Sequence, residues 1–422
     1  MTFKIYTLGC KVNTYESNVI EEQLQKEGFK LVNQNEHADI IIVNTCTVTN
    51  TADNKSKKII HRAKNEGSIV VAVGCMIQNK KEDDNADILI GNVGKSSIAD
   101  YIREYVQNKE KIIDIKDVMD TCFEEMKLDN FNKTRAFVKI QDGCNNFCSY
   151  CIIPYTRGNV RSKKREDVLT EIIELIKKGH KEIVLTGIHT GHYGEDNENY
   201  KFADLLLDIL KIDGLERLRI SSIEITELDE KFLKVLKNNK ILVDHMHIPL
   251  QSGCDKILKL MNRKYDIKYF KDKINTIRNI RPDISITTDL IVGFPDETEE
   301  DFNETIKNIK EIKFSKVHVF PYSRRKGTEA DMMENQIKEE IKKERVKKII
   351  ELSNELEKEY MEKFIGKNLE FIPEIKKENY LIGHTGNYIM VKLESNEELN
   401  HNSKTVKISK VEYPYAIGIL TK

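Results

Sequence analysis

Apolar residues in the first hundred positions come in short continuous runs separated by segments of helical period. "FKIYTLG" (3–9), "ADIIIVNT" (38–45), "SIVVAVG" (68–74) and "ADILIG" (86–91) are such runs. They have the pattern of strands buried on both faces of a parallel sheet. Between the first two, "NTYESNVIEEQLQKEG" (13–28) predicts a helix with Asn13 as N-cap, Glu16 three residues on and Gly28 as the stop. "NKSKKIIHRAK" (54–64) predicts a basic helix between the next two. Strand–helix alternation predicts an open parallel α/β sheet over residues 1–110.

Residues 111–133 are polar and irregular and read as a linker. Alternation resumes over 134–335, with strands expected at 135–143, 182–187, 217–222, 243–250, 284–293 and 316–323. Six strand–helix units predict a partial (βα)6 barrel, since eight are needed to close one. In 336–366, Ile337, Ile341, Ile349, Leu352, Leu356, Tyr360 and Phe364 recur mostly at three- or four-residue steps. That spacing predicts a connecting amphipathic helix whose many charges form a solvated face. Past Gly366 the pattern becomes short strands, predicting a small all-β module over 367–422.

Composition changes this picture in two places. The net charge of -1 removes any global basicity, so a nucleic-acid surface would have to be a local patch. The amino-terminal residues do not read as a secretory signal, and the longest aliphatic run, "IVVAV" (69–73), is far too short for a membrane helix. The chain reads as cytoplasmic, with no membrane partner. In a reducing compartment, eight cysteines point to metal or redox chemistry before disulfides.

Cys144, Cys148 and Cys151 have C-x3-C-x2-C spacing just after the first barrel strand. Thiolates are soft ligands suited to zinc or iron–sulfur clusters. A zinc knuckle with a distant fourth ligand is the alternative. A 4Fe–4S cube held by three thiolates keeps one iron open for a chelating ligand. Gly143 beside the first cysteine would let backbone approach a bulky inorganic group. Cys10, Cys46 and Cys75 are scattered in sequence, but each directly follows a predicted strand. Ligands of an open parallel sheet sit at the carboxyl ends of its strands, so three thiols reach one edge and suggest a second metal site. Cys122 reads as a linker residue without function and Cys254 as a small filler. His189 with His192, and His245 with His247, read as packing or hydrogen-bonding pairs rather than metal ligands.

The motif "GCNNFCSYC" (143–151), with Tyr150 before its last cysteine and a barrel strand before its first, resembles the radical S-adenosylmethionine (SAM) enzymes. Three plus three cysteines, this barrel and a β tail together resemble the methylthiotransferases over essentially the whole chain. The order is an N-terminal methylthiotransferase domain, a radical SAM domain and a TRAM domain. "TLGCKVNTYES" (7–17) is most similar to the threonylcarbamoyladenosine tRNA branch.

The resemblance implies two 4Fe–4S clusters and SAM. The cluster on Cys144, Cys148 and Cys151 would bind SAM and yield a 5′-deoxyadenosyl radical. The auxiliary cluster on Cys10, Cys46 and Cys75 would hold the sulfur to be inserted. The target would be carbon 2 of the modified adenosine beside the anticodon, whose aromatic C–H is not acidic enough for an ordinary base. SAM contacts are expected at Tyr150, Gly187, Ser222 and Gly293, with no catalytic group beyond the cluster ligands.

A tRNA anticodon stem-loop is the implied partner, with an electron donor such as flavodoxin or ferredoxin, and the enzyme is expected to be a monomer. "RGNVRSKKR" (157–165) offers Arg157, Arg161, Lys163, Lys164 and Arg165 for phosphate contacts. The tail carries eight Lys and seven Glu over 366–422, so charge gives it no RNA preference. Tyr388, Tyr413 or Tyr415 could stack on bases instead. The competing readings are the same chemistry on isopentenyladenosine or a ribosomal protein, and a non-catalytic iron–sulfur RNA-binding protein.

Overall fold

The computed structural model describes residues 1–129, 134–197, 199–399 and 401–421. Its first unit is a six-stranded, all-parallel sheet. The strands are β1 (Thr2–Thr7), β2 (Lys30–Leu31), β3 (Ile40–Thr45), β4 (Ile69–Gly74), β5 (Ile88–Ile90) and β6 (Ile112–Asp114), in spatial order 2-1-3-4-5-6. All six residues of β3 are buried, because helices cover both faces of the sheet. The four expected strands are present. Two short edge strands, β2 and β6, carry too few apolar residues to show in the pattern. The sixth strand falls inside the expected linker, whose residues 130–133 lie outside the described residues.

The first helix is Lys11–Lys26, capped by Cys10, so it starts two residues earlier than the sequence signal. Asn13 and Glu16 were read as its cap and capping-box partner. Both are buried within the helix and used for long-range bonding instead.

The second unit holds all six expected strands: β7 (Arg135–Lys139), β10 (Glu182–Thr186), β11 (Arg217–Ile220), β12 (His245–His247), β13 (Ser285–Val292) and β14 (Lys316–Pro321). A small ribbon, β8 (Gln141–Asp142) with β9 (Arg161–Ser162), frames the cysteine loop. Two parallel sheets, 11-10-7 and 12-13-14, are joined by a bridge between Leu218 and Leu242. No pairing between β7 and β14 occurs among the described residues, so the barrel stays open on one side. The start of the Lys11–Lys26 helix packs on β7, at that opening. One apolar core runs continuously from the first sheet into the barrel.

The helix Glu339–Glu362 packs on β14. Ile349, Leu352, Leu356 and Tyr360 face inward as the spacing predicts, whereas Ile341 is exposed. The fully solvated polar face needs correction. Lys342 and Arg345 are buried, Arg345 pairing with Glu297. The tail forms a closed five-stranded barrel from β15 (Asn368–Lys377), β16 (Tyr380–Thr385), β17 (Met390–Glu394), β18 (Lys404–Glu412) and β19 (Tyr415–Leu420). This is the small all-β architecture expected of a TRAM-like module. Tyr360, Met361 and Phe364 of the long helix complete its core.

Candidate iron–sulfur and substrate site

Cys10 follows β1, Cys46 follows β3 and Cys75 follows β4, all at strand carboxyl ends. The spatial order 2-1-3-4 places the change of winding direction between β1 and β3, the position where such sheets bind ligands. The first two thiols flank that point. Cys10 and Cys75 also open helices, Lys11–Lys26 and Cys75–Lys80. Gly9 makes the approach possible: a Cβ there would sit 2.8 Å from Cys46 Sγ. The three thiols are close enough to oppose one another's ionisation, and Cys46 is pushed up to about 11, chiefly by burial.

Cys144, Cys148 and Cys151 form a second such group at the end of β8, again electrostatically coupled. Burial pushes Cys144 up to about 12 and raises Cys151 as well. Gly143 has a positive φ of 74° because its Cα abuts the Asn159 carbonyl, which a Cβ would strike. Backbone packing against Asn159 by itself demands glycine at this position.

Two guanidinium groups that the sequence reading did not assign to sulfur reach these sites. Arg157 Nε donates to Cys75 Sγ at 3.3 Å, and Arg263 Nη1 donates to Cys148 Sγ at 3.3 Å. Arg157 is fully buried and also bonds Glu16, Asp142 and Asn13. Lys95 and Lys139 join the same cluster through Glu16. Arg263 pairs with Glu224. Thiol triads each met by a cationic donor and lacking a fourth cysteine fit a 4Fe–4S cluster with one open iron. The other two cysteines lie apart: Cys122 is exposed, and Cys254 packs with Ile257, Met261 and Phe294.

The helix Ile153–Arg157, directly after Cys151, packs against Cys75–Lys80. A recess of about 240 Å³ is lined by Val48 and Thr49 from the Cys46 loop, by Tyr150 and Cys151, and by Asp289 and Tyr322 of the barrel. Tyr150 is half-buried at this recess. Ser222 is half-buried just past the end of β11. Gly187 and Gly293 have neighbours of their own. A Cβ on Gly187 would crowd Gln141, and one on Gly293 would meet Lys342.

The basic segment needs correction. Arg157, Arg161 and Lys163 are buried, so they cannot present charge to phosphates. Arg161 donates to the Val118 carbonyl, and Lys163 pairs with Glu171. Lys164 is exposed, and Arg165 is partly exposed beside Asp208. Spacing alone could not separate these fates. Tyr388 is also unavailable to RNA bases. Its ring is sandwiched between His245 and His384 at 4.6 Å, and Arg135 donates to its hydroxyl. Burial alone would raise that hydroxyl, but Arg135, Lys11 and Arg219 hold it below the usual tyrosine value. Tyr413 is exposed and bonds Asn354 and Glu357.

His189 and His192 stack at 3.5 Å, both nitrogens facing Glu227 Oε1, with His189 Nδ1 3.6 Å from Cys144 Sγ. His245 and His247 both reach Thr287 Oγ1. The second pair makes the polar contacts expected of it, whereas ligand atoms of His189, His192 and Glu227 all lie within 4.8 Å of one another, an arrangement that could hold a metal ion.

Residues 138–309 match the model of the radical SAM superfamily, and residues 2–91 match "Uncharacterized protein family UPF0004". The chain is a radical SAM protein with the open α/β domain in front of its barrel. It is 42% identical to the threonylcarbamoyladenosine tRNA methylthiotransferase MtaB of Bacillus subtilis, over 99% of this chain and 96% of that one. The Aquifex aeolicus protein of the same name is 39% identical, over 93% of this chain and 97% of that one. A tRNA-2-methylthio-N(6)-dimethylallyladenosine synthase of Clostridium botulinum is 37% identical, over 91% and 89%. The chain belongs to the tRNA methylthiotransferase family, radical SAM enzymes that use SAM and two 4Fe–4S clusters. Among solved structures, the radical SAM methyltransferase TsrM of Kitasatospora setae shares the fold alone. Its TM-score is 0.54 at 12% identity, over 77% of this chain and 75% of that one. No helix among the described residues is long and apolar enough to cross a membrane.

Proposed function

We propose that this enzyme converts N6-threonylcarbamoyladenosine beside the tRNA anticodon into its 2-methylthio derivative. Cys144, Cys148 and Cys151 hold the SAM-binding cluster in this reading, and Cys10, Cys46 and Cys75 the auxiliary one. The observation that carries it is the packing of the segment after Cys151 on the helix that Cys75 opens, with Arg157 donating to Cys75 Sγ. Bound there, the clusters and SAM supply the radical and the sulfur that an unactivated aromatic C–H requires.

The chain's own residues hold and insulate these groups. Arg157 and Arg263 each place a guanidinium N–H against one sulfur of a triad. Tyr150 and Ser222 are the better candidates for SAM contacts. Gly187 and Gly293 would contribute backbone only. Lys164 and Arg165 remain the candidates for tRNA phosphates. We also propose that the functional units span 1–110, 134–335 and 367–422, with the monomer drawing electrons from a flavodoxin- or ferredoxin-like donor.

The threonylcarbamoyl assignment is supported by the two MtaB relatives. Mass spectrometry of tRNA nucleosides from a deletion strain tests it. Loss of 2-methylthio-threonylcarbamoyladenosine is the expected result. Persistence of that nucleoside, with loss of 2-methylthio-isopentenyladenosine, would overturn it.

A further inference from the structure

A chain of net charge -1 meets RNA through a local patch, and the buried Arg157, Arg161 and Lys163 do not supply one. The other basic segment, "NKSKKIIHRAK" (54–64), has the opposite fate. It lies in the helix Asn50–Asn65, which turns Asp53, Ser56, Ile60 and Ala63 inward. Lys55, Lys57, Lys58, His61, Arg62 and Lys64 are all exposed. The helix's one carboxylate, Asp53, is held inward by Arg325 at 2.9 Å and Lys80 at 3.6 Å. It therefore does not neutralise the outer face. Arg62 pairs with Glu66, and Lys64 with Asp87. Lys55, Lys57 and Lys58 have no carboxylate partner among the described residues. A groove on one flank is lined by Lys57, Lys58 and His61 from the helix and by Glu82, Asp83 and Asp84 opposite. Those carboxylates repel a polyanion from the groove, so its path is the outer stripe of Lys55, Lys58 and Arg62.

This stripe starts close to the cysteine sites. Thr49 caps the helix and lines the recess beside Cys151. Asn50 N–H donates to Ser323 Oγ, and Arg325 donates to Thr47 and Asn50, so the loop after β14 ties the helix's amino end to the barrel. Lys55 lies six residues past Thr49, about 9 Å along the helix axis. From Lys55 to Arg62 the stripe runs about 10 Å, the rise of about three nucleotides of one strand. None of the exposed large hydrophobic residues lies on this helix. Protein interfaces are built around apolar and aromatic anchors, whereas a nucleic-acid backbone is held by cations alone. We propose that this face of Asn50–Asn65, led by Lys55, Lys57 and Lys58, binds the tRNA phosphate backbone beside the nucleotide being modified. The inference rests on the tRNA reading above and supplies the phosphate surface that the buried cations of 157–163 cannot.

The test measures binding of reconstituted holoenzyme to a full-length tRNA transcript at several salt concentrations. The triple variant Lys55→Ala, Lys57→Ala, Lys58→Ala is expected to bind about 10- to 100-fold more weakly at low salt, with the salt slope reduced by about two to three. A second triple variant, Lys343→Ala, Lys347→Ala, Lys358→Ala, removes the same charge from the exposed face of the helix Glu339–Glu362 and should leave the slope unchanged. Thermal unfolding of both should stay near wild type, because all six side chains are exposed. Wild-type affinity and slope in the first variant overturn the inference and leave the function intact. Equal weakening in both variants does the same, since net charge would then explain it. Slower reduction by an acidic flavoprotein, with tRNA binding unchanged, assigns the face to a protein partner and also overturns it. Wild type without salt-dependent affinity for tRNA overturns the tRNA reading itself, and this inference with it.

Discussion

The two cysteine triads reach similar chemistry by opposite routes. Cys144, Cys148 and Cys151 lie on one short loop, held by the β8–β9 ribbon and the Ile153–Arg157 helix. Cys10, Cys46 and Cys75 come from three strand ends, so their meeting depends on the order 1-3-4 within the first sheet. Each triad receives one guanidinium N–H on sulfur, but from different distances. Arg157 reaches across to Cys75 from the segment just after the other triad, while Arg263 reaches Cys148 from beyond the Asp255–Leu260 helix. A local site survives small shifts between domains. What depends on the register between sheet and barrel is the Arg157–Cys75 contact, and a buried charge cluster of Glu16, Lys139, Asp142 and Arg157 lies on that seam.

The largest expected contrast comes from removing one ligand of each triad. Cys148→Ala should abolish both SAM cleavage and methylthiolation, by about a thousandfold or more. Cys75→Ala should abolish methylthiolation while SAM cleavage continues. Quantifying 5′-deoxyadenosine and modified nucleoside in the same reaction reads both. Parallel loss of the two products in both variants would break the contrast.

Next is the seam. Arg157→Met leaves Glu16 and Asp142 short of a buried counter-charge, at a cost of about 3–5 kcal/mol. Thermal unfolding should fall by several degrees, and bound iron should drop from about eight atoms toward about four per chain. Arg263→Met should act more locally. It deletes a charged hydrogen bond worth about 1.5–3 kcal/mol and should shift the midpoint potential of the SAM-binding cluster to more negative values, with iron content unchanged. Electrochemical titration of the two variants separates the roles; an identical shift in both would refute the distinction.

The smallest effect separates two neighbouring cations. Lys164→Ala should weaken stem-loop binding and reduce the salt slope by about one unit or less. Arg161→Ala should leave the slope unchanged and lower stability instead, because its guanidinium is bonded to the Val118 carbonyl. Binding isotherms at several salt concentrations distinguish them.

Local signals read well. Continuous apolar runs located four strands of the first sheet, and the barrel's six strands all lie where the pattern put them. The contiguous triad was legible as spacing, the scattered one as a repeated position after strands. What failed was charge. "RGNVRSKKR" reads as one basic patch, yet Arg157, Arg161 and Lys163 turn inward to partners 8 to 141 residues away. Nothing in a charged residue's neighbours announces a distant carboxylate. Asn13 and Glu16 misled for the same reason: a convincing local cap pattern was overridden by long-range bonds to Thr45, Lys95, Lys139 and Arg157.

Sequence by itself determined the elements, the six thiols and the kind of cluster they suit, because strand period and ligand spacing are local properties of the chain. Tertiary structure alone decided which cations serve sulfur, which serve the seam and which stay exposed. Pairing of charges is settled by burial and distance between segments far apart in sequence, and neither exists until the chain has folded.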